Sequence, residues 1–198
     1  RAMLGARIAE QRITDLATAG QLGGHHSGLN HEAIGIGIGL AVEFDDVVQP
    51  SYRSGAAVKH ARGLTLRELV LQGFGLIPGA REQHPGGARI LRSTGIVSGQ
   101  MPMAVGIAMA MKITKDPGVC FGYMGDGGTS EGDFHVALNF AGVRQAPFVL
   151  IGQNNQWASS TPGSGETAAA TIALKGIGYG AAALPAPAAD VPPHHPPP

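Results

Sequence analysis

Two short signatures contain the residues with the clearest chemical potential. The first is Gly-Asp-Gly at 125–127, the second is Asn-Asn at 154–155, and the 26 residues 128–153 separate them. The Asp126 carboxylate and the Asn155 amide oxygen are hard oxygen ligands. Magnesium prefers such ligands and takes few of them from a protein, because phosphate oxygens and water complete its coordination shell. The two signatures therefore predict a site for magnesium and a phosphate group.

The glycines around Asp126 suit an anion-binding turn. Gly125 and Gly127 allow a sharp bend and a close approach of the backbone to a ligand. The amides of Gly127 and Gly128 can then point toward a diphosphate, as can the N-terminus of a helix predicted near 132–133. Alone, the first signature is only a turn and the second only a strand cap. Because each directly follows an apolar run, the metal–diphosphate interpretation is favoured.

Both signatures lie at the ends of strands in one predicted βαβ unit. The apolar runs 119–124 and 148–152 are typical of strands buried on both faces, and 133–143 predicts the helix between them. Parallel strands joined in this way bring their carboxyl ends to one edge of the sheet, where ligands bind. We therefore expect the two signatures to face one site.

The remaining sequence predicts further elements of an α/β fold, a parallel sheet with helices on both faces. We expect a strand at 47–51 and helices at 3–19, 31–43, 65–74, 99–115 and, weakly, 167–177. The alternating Ile-Gly pattern within 31–43 also fits a strand, and its glycines would let another backbone come close. Thr65 and Glu68 form a capping box. The polar segment 76–92 reads as a surface loop.

Composition limits the class of protein. The 198 residues include 14 basic and 14 acidic side chains, so the formal net charge is zero and a nucleic-acid or anionic membrane surface is disfavoured. No apolar run is long enough to span a bilayer and no signal peptide is visible, so we expect a cytoplasmic protein. The single cysteine, Cys120, lies in an apolar run and is expected to be a buried, inert thiol.

The signatures and their surroundings resemble a known family. Gly-Asp-Gly followed by Asn-Asn at this spacing is similar to the thiamine diphosphate signature. The segment SEGDFHVALNFA resembles the alpha subunit of the decarboxylating component of 2-oxoacid dehydrogenase complexes, of the pyruvate, branched-chain or acetoin type. The upstream segments HHSGLNHEAIGIG, VVQPSYRSG, ARGLTLREL and STGIVSGQMPMAVG agree in order. The resemblance covers residues 3–180 and implies a thiamine diphosphate-binding fold.

The resemblance implies roles for individual residues in holding thiamine diphosphate and Mg²⁺. The side chains of Asp126 and Asn155 and the backbone carbonyl of Trp157 would bind the metal. The amides of Gly127 and Gly128 would contact the diphosphate.

Other matching positions extend this site toward the rest of the cofactor. Tyr52 and Arg53 match a Tyr-Arg pair that grips the diphosphate, a task that suits a guanidinium. Gly95 and Val97 match positions whose backbone binds the aminopyrimidine ring. His84 lies in a region that approaches the substrate.

The implied reaction is the oxidative decarboxylation of a 2-oxo acid, with acyl transfer to a lipoyl-bearing acyltransferase. The glutamate that activates the cofactor would come from the beta subunit of a heterotetramer, and Glu32 is interpreted as structural. Two departures leave the substrate open: Ser54-Gly55-Ala56 replaces a region that usually contains histidine, and Gln153 stands where branched-chain enzymes often have arginine.

The histidines are interpreted conservatively. A metal site made by His25, His26 and His31 is possible, but exposed or loop-packing histidines are commoner. His135, within the helix predicted at 133–143, is expected to serve packing or a subunit contact.

The resemblance ends near residue 180. Residues 181–198 contain seven of the 14 prolines and six alanines, so we expect a disordered tail after a cofactor-binding domain at 1–180 that is incomplete at its C-terminus. A truncated or frameshifted reading is one hypothesis for this change. Two alternatives to the dehydrogenase remain: the N-terminal part of a transketolase-like enzyme, and an inactive fragment that binds cofactor or partner without turnover.

Overall fold

A four-stranded parallel sheet forms the centre of the computed structural model, which describes residues 1–74 and 89–184. The strands are β1 Val47–Gln49, β2 Arg89–Ile90, β3 Cys120–Gly125 and β4 Phe148–Gln153. Their order across the sheet is β2-β1-β3-β4, and Gly125 pairs in register with Gln153. A two-stranded antiparallel hairpin, β5 Trp157–Ala158 and β6 Thr161–Pro162, follows β4.

Helices fill most of the described sequence between the strands. They are α1 Ala2–Thr18, α2 Glu32–Ala41, α3 Gly55–Ala61, α4 Leu66–Gly73, α5 Gln100–Thr114, α6 Gly132–Arg144, α7 Gly163–Glu166 and α8 Ile172–Ile177. The segment that also fitted a strand, α2, is helical. The helix α3 was not predicted, and the helix predicted at 167–177 begins only at Ile172.

The side chains of β3 alternate between two apolar layers. Cys120 and Met124 pack on the side of α5 and α6, whereas Tyr123 packs against residues of α2 and α3. The α/β prediction with helices on both faces is therefore confirmed. Cys120 has no exposed surface and burial raises the pKa of its thiol to about 12, which confirms an inert, protonated thiol.

The glycines of α2 let α3 pack closely against it. A Cβ atom on Gly35 would overlap the Ala57 side chain, and one on Gly39 would overlap that of Ala61. A Cβ atom on Gly37 would meet no atom of the described residues within 4 Å. The predicted close approach therefore occurs at two of the three glycines. The packing also holds α3, which begins directly after Tyr52 and Arg53, beside the sheet.

The predicted capping box is present, and the predicted structural role of Glu32 has a polar partner. Glu68 N–H donates to Thr65 Oγ1 at 3.2 Å and Thr65 N–H donates to Glu68 Oε2 at 2.9 Å, which confirms the capping box at α4. The buried Glu32 carboxylate receives bonds of 2.6 and 2.9 Å from Arg7. Burial alone would raise the pKa of Glu32, but Arg7 holds it below its usual value, so Glu32 is structural, as predicted.

The segment after β4 returns to α6. Tyr179 packs edge-on against Phe134, and its hydroxyl lies 2.5 Å from His135 Nδ1. His135 thus serves packing, as predicted.

The predicted loop at 76–92 is wrong at Arg89–Ile90, which pair with β1 as β2. His84 and residues 185–198 of the predicted tail lie outside the described residues. No helix within the described ranges has the length and apolar character needed to cross a membrane.

Candidate active site

The carboxyl ends of β1, β3 and β4 open into a cleft of about 340 Å³. The chain after β1 supplies Ser51, Tyr52 and Arg53, and the end of β3 and the turn after it supply residues 125–128. Gln153 ends β4, Asn155 lies in the loop after it, and Trp157 begins β5. The Asp126 N–H donates to the Gln153 carbonyl at 3.1 Å, so the two signatures are joined directly. The sequence prediction that they face one site is confirmed.

Asp126 is the most informative side chain of the cleft. It is 3 % exposed, and its Oδ2 atom is buried without a hydrogen-bond partner among the described residues. Burial raises the pKa of Asp126, although the backbone amides of Gly127, Gln156 and Trp157 act in the opposite direction. A buried carboxylate with a free oxygen is costly unless a cation pairs with it. Asp126 is therefore suited to bind a metal.

The Asn-Asn loop bends back toward Asp126. Asn154 Oδ1 accepts the Gln156 N–H at 2.8 Å and Asn155 Oδ1 accepts the Trp157 N–H at 3.0 Å. Gln156 has a left-handed backbone φ of 66°, which residues other than glycine rarely adopt. This conformation fixes the sharp turn. Asn155 and Trp157 thereby both line the cleft with Asp126.

A short 3-10 turn, Gly127–Ser130, follows Asp126 and is called the 127–130 turn below. A Cβ atom on Gly127 would overlap the Ala158 side chain of the hairpin. On Gly128 it would lie 2.6 Å from Met124 Cε and 2.8 Å from Ser98 Oγ. The glycines therefore permit close packing on both sides of the turn, which keeps its backbone at the surface of the cleft.

Tyr52 and Arg53 approach the cleft from the other side. Arg53 Nη1 donates to the Ser27 carbonyl at 2.6 Å, and its guanidinium carbon lies 5.7 Å from the centre of the Tyr52 ring. The His26 ring packs on Tyr52 with centroids 4.7 Å apart. Arg53 is therefore a fixed positive charge at the rim of the cleft.

The structure brings two histidines to this cleft that the sequence had assigned to exposed or packing roles, His26 and His31. Burial, followed by the charge of Arg53, lowers the pKa of His31. The Nδ1 atom of His31 is buried and has no hydrogen-bond partner among the residues that the structure describes. His25 instead contacts Glu10 at 2.7 Å. Within residues 1–74 and 89–184 no group of three His, Cys, Asp or Glu side chains could hold a metal, so the three-histidine alternative is not supported.

The three remaining predicted positions differ in where they lie relative to the cleft. Val97 lines the cleft and is 44 % exposed. Gly95 is exposed and, in the described part of the chain, does not belong to the lining. His84 lies outside the described residues, so its contact with substrate stays a prediction.

Sequence reasoning singled out Gln153 but missed Gln100 and the buried polar layer that the two residues form at the base of the cleft. Gln100 and Gln153 are each 2 % exposed and line it, and Gln153 Oε1 accepts a bond from the Ser51 hydroxyl at 3.1 Å. In the part of the chain that the structure describes, Gln100 Oε1 and Gln153 Nε2 have no hydrogen-bond partner. The available signal was position: Gln153 ends an apolar strand, and Gln100 begins a buried helix. Unpaired polar atoms of this kind favour a polar ligand in the cleft.

The sequence profile described as "Dehydrogenase E1 component" matches residues 1–192 of the chain. The chain belongs to the dehydrogenase E1 component family. Family membership agrees with the resemblance carried by the two signatures and the segments around them.

Curated proteins of this E1 family align with almost the whole chain. The "Pyruvate dehydrogenase E1 component subunit alpha" of Staphylococcus aureus is 37 % identical over 178 residues, which are 90 % of this chain and 47 % of that protein. The protein of the same name from Bacillus cereus is 35 % identical over 181 residues, 91 % of this chain and 48 % of that protein.

A plant relative is equally similar. The "2-oxoisovalerate dehydrogenase subunit alpha 2, mitochondrial" of Arabidopsis thaliana is 37 % identical over 185 residues, 90 % of this chain and 39 % of that protein. The chain spans about half the length of the bacterial relatives and less of the plant one. These E1 relatives are named for different oxo-acid substrates at nearly equal identity, so the comparisons favour no single substrate.

Proposed function

We propose that this E1-family chain is the alpha subunit of a thiamine diphosphate-dependent 2-oxoacid dehydrogenase and holds the metal and diphosphate of the cofactor. The observation that carries the proposal is the buried Asp126 carboxylate at the end of β3, whose Oδ2 atom has no hydrogen-bond partner within residues 1–74 and 89–184. A cation at this point would remove the cost of its burial. The alternative of a simple turn gives no reason to bury a carboxylate there.

Three oxygens are proposed as the protein's ligands to Mg²⁺: the Asp126 carboxylate, the Asn155 side-chain oxygen and the Trp157 carbonyl. All three residues line the cleft. Asn155 Oδ1 already accepts one amide bond, but an amide oxygen retains a second lone pair for a metal. A set of one charge and two neutral oxygens suits Mg²⁺, which takes its remaining ligands from phosphate and water.

The diphosphate is proposed to lie between the 127–130 turn and Arg53. The amides of Gly127 and Gly128 supply donors without side chains in the way, and Tyr52 and Arg53 supply a hydroxyl and a guanidinium opposite them. The backbone at Val97, which lines the cleft, would contact the aminopyrimidine. When bound, thiamine diphosphate supplies the electron sink that decarboxylation of a 2-oxo acid requires.

The site also requires a partner in this proposal. Glu32 is engaged by Arg7 and is not available to activate the cofactor. The beta subunit would supply the activating glutamate within a heterotetramer, and a lipoyl-bearing acyltransferase would receive the acyl group. This chain's own residues would bind the cofactor, orient it and exclude water from its diphosphate.

The test combines the chain with a matching beta subunit, Mg²⁺ and thiamine diphosphate. Decarboxylation of pyruvate and of branched-chain 2-oxo acids is followed with an artificial electron acceptor, and acetoin is offered as a third substrate. Turnover of one of them is expected. Cofactor binding without turnover of any would instead assign the chain a binding role, and absence of Mg²⁺-dependent cofactor binding would overturn the proposal.

A further inference from the structure

Lys175 of α8 reaches the 127–130 turn from outside the cleft. Its Nζ donates to Thr129 Oγ1 at 2.8 Å and to the Thr129 carbonyl at 3.1 Å. Thr129 is only 1 % exposed, so the ammonium group meets a buried partner. Burial lowers the pKa of Lys175, against the opposing charge of Glu166. Bonds from a charged donor to buried acceptors are stronger than ordinary surface hydrogen bonds.

Thr129 in turn donates hydrogen bonds to Asp126. Its Oγ1 donates to the Asp126 carbonyl at 2.7 Å, and its backbone N–H donates to the same oxygen at 2.9 Å. The hydroxyl has one proton, which the Asp126 carbonyl uses, and its lone pair accepts from Lys175. The bonds therefore run in one direction, from Lys175 through Thr129 to Asp126.

A second bond ties the same two segments together. Ser130 Oγ donates to the Glu166 carbonyl at 3.0 Å. The region from α7 to α8 therefore holds the 127–130 turn at two consecutive residues. Without such contacts a short turn that contains two glycines would have many accessible conformations, and binding would have to order it.

We infer that Lys175 is a positioning residue: acting through Thr129, it holds Asp126 and the 127–130 turn in the arrangement that receives a metal-bound diphosphate. The identity of that ligand rests on the proposed function. The hydrogen bonds that join Lys175, Thr129 and Asp126 are called the clamp below, and they do not depend on that ligand. None of the cofactor-binding positions implied by the family resemblance includes Lys175 or Thr129.

The first measurement follows hydrogen–deuterium exchange in the ligand-free protein. Lys175→Met and Thr129→Val are expected to speed exchange of amides 127–130 by about tenfold, the effect of losing one charge-assisted hydrogen bond. Thr129→Ser keeps the hydroxyl and should restore the wild-type rate. The matched control is Lys112→Met, because Lys112 Nζ also donates to two carbonyls, those of Arg144 and Gln145, away from the cleft.

Unchanged exchange in both Lys175→Met and Thr129→Val would overturn the inference. Equal acceleration of the turn in Lys112→Met would overturn it too, since the effect would then be general loosening.

The second measurement is calorimetric titration with Mg²⁺ and thiamine diphosphate in the presence of the beta subunit. Thr129→Val is expected to bind about tenfold more weakly than wild type, with affinity restored in Thr129→Ser. Thr129→Val affinity equal to wild type would refute the positioning role. If wild-type protein does not bind the cofactor, the proposed function fails, whereas the exchange data still decide whether the clamp exists.

Discussion

The Ser98 hydroxyl donates a 2.6 Å hydrogen bond to the Gly128 carbonyl and so joins the loop before α5 to the turn after β3. Ser98 is 1 % exposed and holds a left-handed φ of 61°. This backbone conformation is unfavourable for a residue other than glycine, so surrounding interactions must stabilise it. The bond fixes two parts of the proposed cofactor site, the loop near Val97 and the diphosphate turn, relative to each other.

Replacing Ser98 by alanine tests this bond. Ser98→Ala leaves the buried Gly128 carbonyl without its partner, and we expect a loss of about 1–3 kcal/mol in the free energy of unfolding. Affinity for Mg²⁺–thiamine diphosphate should also fall. Urea unfolding and calorimetry measure the two effects, with Ser93→Ala, an exposed position of the same loop, as control. Equal stability of Ser98→Ala and wild type would contradict the assignment.

We expect Arg53 to bind the phosphates of the cofactor and so to raise the affinity for thiamine diphosphate relative to thiamine. Arg53→Lys keeps the charge but loses the planar fork that can bind two phosphate oxygens. We expect affinity for thiamine diphosphate to fall by about tenfold, roughly the loss of one charge-assisted bond, while affinity for thiamine, which has no phosphate, changes little. Titration calorimetry with both ligands checks this, and Arg67→Lys on the exposed side of α4 is the control. An equal loss for both ligands would show that Arg53 acts on the fold instead.

The position of Gly127 leaves no room for a larger side chain. Gly127→Ala places a Cβ against the Ala158 side chain and should displace the hairpin, at a cost of about 1–3 kcal/mol in the free energy of unfolding. The matched control is Gly106→Ala in α5, where the described residues place no atom within 4 Å of the added Cβ. That change should stabilise the helix by about 0.5–1 kcal/mol. Thermal unfolding compares the two, and destabilisation of the same size in both would argue against the packing account.

His31 predicts a pH dependence of stability. Its folded-state pKa lies below the ordinary value of 6.5, first because of burial and then because of Arg53, with Glu32 opposing. As pH falls below about 6.5, the unfolded chain binds the proton before the folded chain does, so stability is lost until the pH passes the folded pKa. His31→Gln removes this loss.

The measurement is the free energy of unfolding between about pH 7.5 and 5. The decline should be smaller in His31→Gln than in wild type. The rest of the chain is the same in both proteins, so the difference between their declines isolates the contribution of His31. Parallel declines in the two proteins would show that His31 does not experience the buried, positively charged setting seen here.

The sequence predicted the position of the site better than it predicted which residues line the cleft. Asp126 and Asn155 could be found because each follows a strand whose apolar run is legible, and parallel strands end at a common edge. His26 and Gln100 could not, because they reach the cleft through tertiary contacts: His26 by packing on Tyr52, and Gln100 by the placement of α5 across the sheet.

The missed helix α3 has a similar cause. Its sequence begins with Gly55 and lacks a strong capping signal, and in the structure its Ser54 N-cap forms no side-chain cap bond. What specifies it is the close fit of Ala57 and Ala61 to the glycines of α2, a contact between segments about 20 residues apart. The two-residue strand β2 was missed because its pairing, rather than its own pattern, defines it.

The central claim is that Asp126 binds a metal that carries the diphosphate, and Trp157 offers a direct report of it. Trp157 is the only tryptophan of the chain and lines the cleft beside Asp126. We predict that thiamine diphosphate changes the tryptophan fluorescence of the chain only when Mg²⁺ is present, and that Asp126→Asn abolishes the change while the protein stays folded. A response that needs no Mg²⁺, or an undiminished response in Asp126→Asn, would contradict the account.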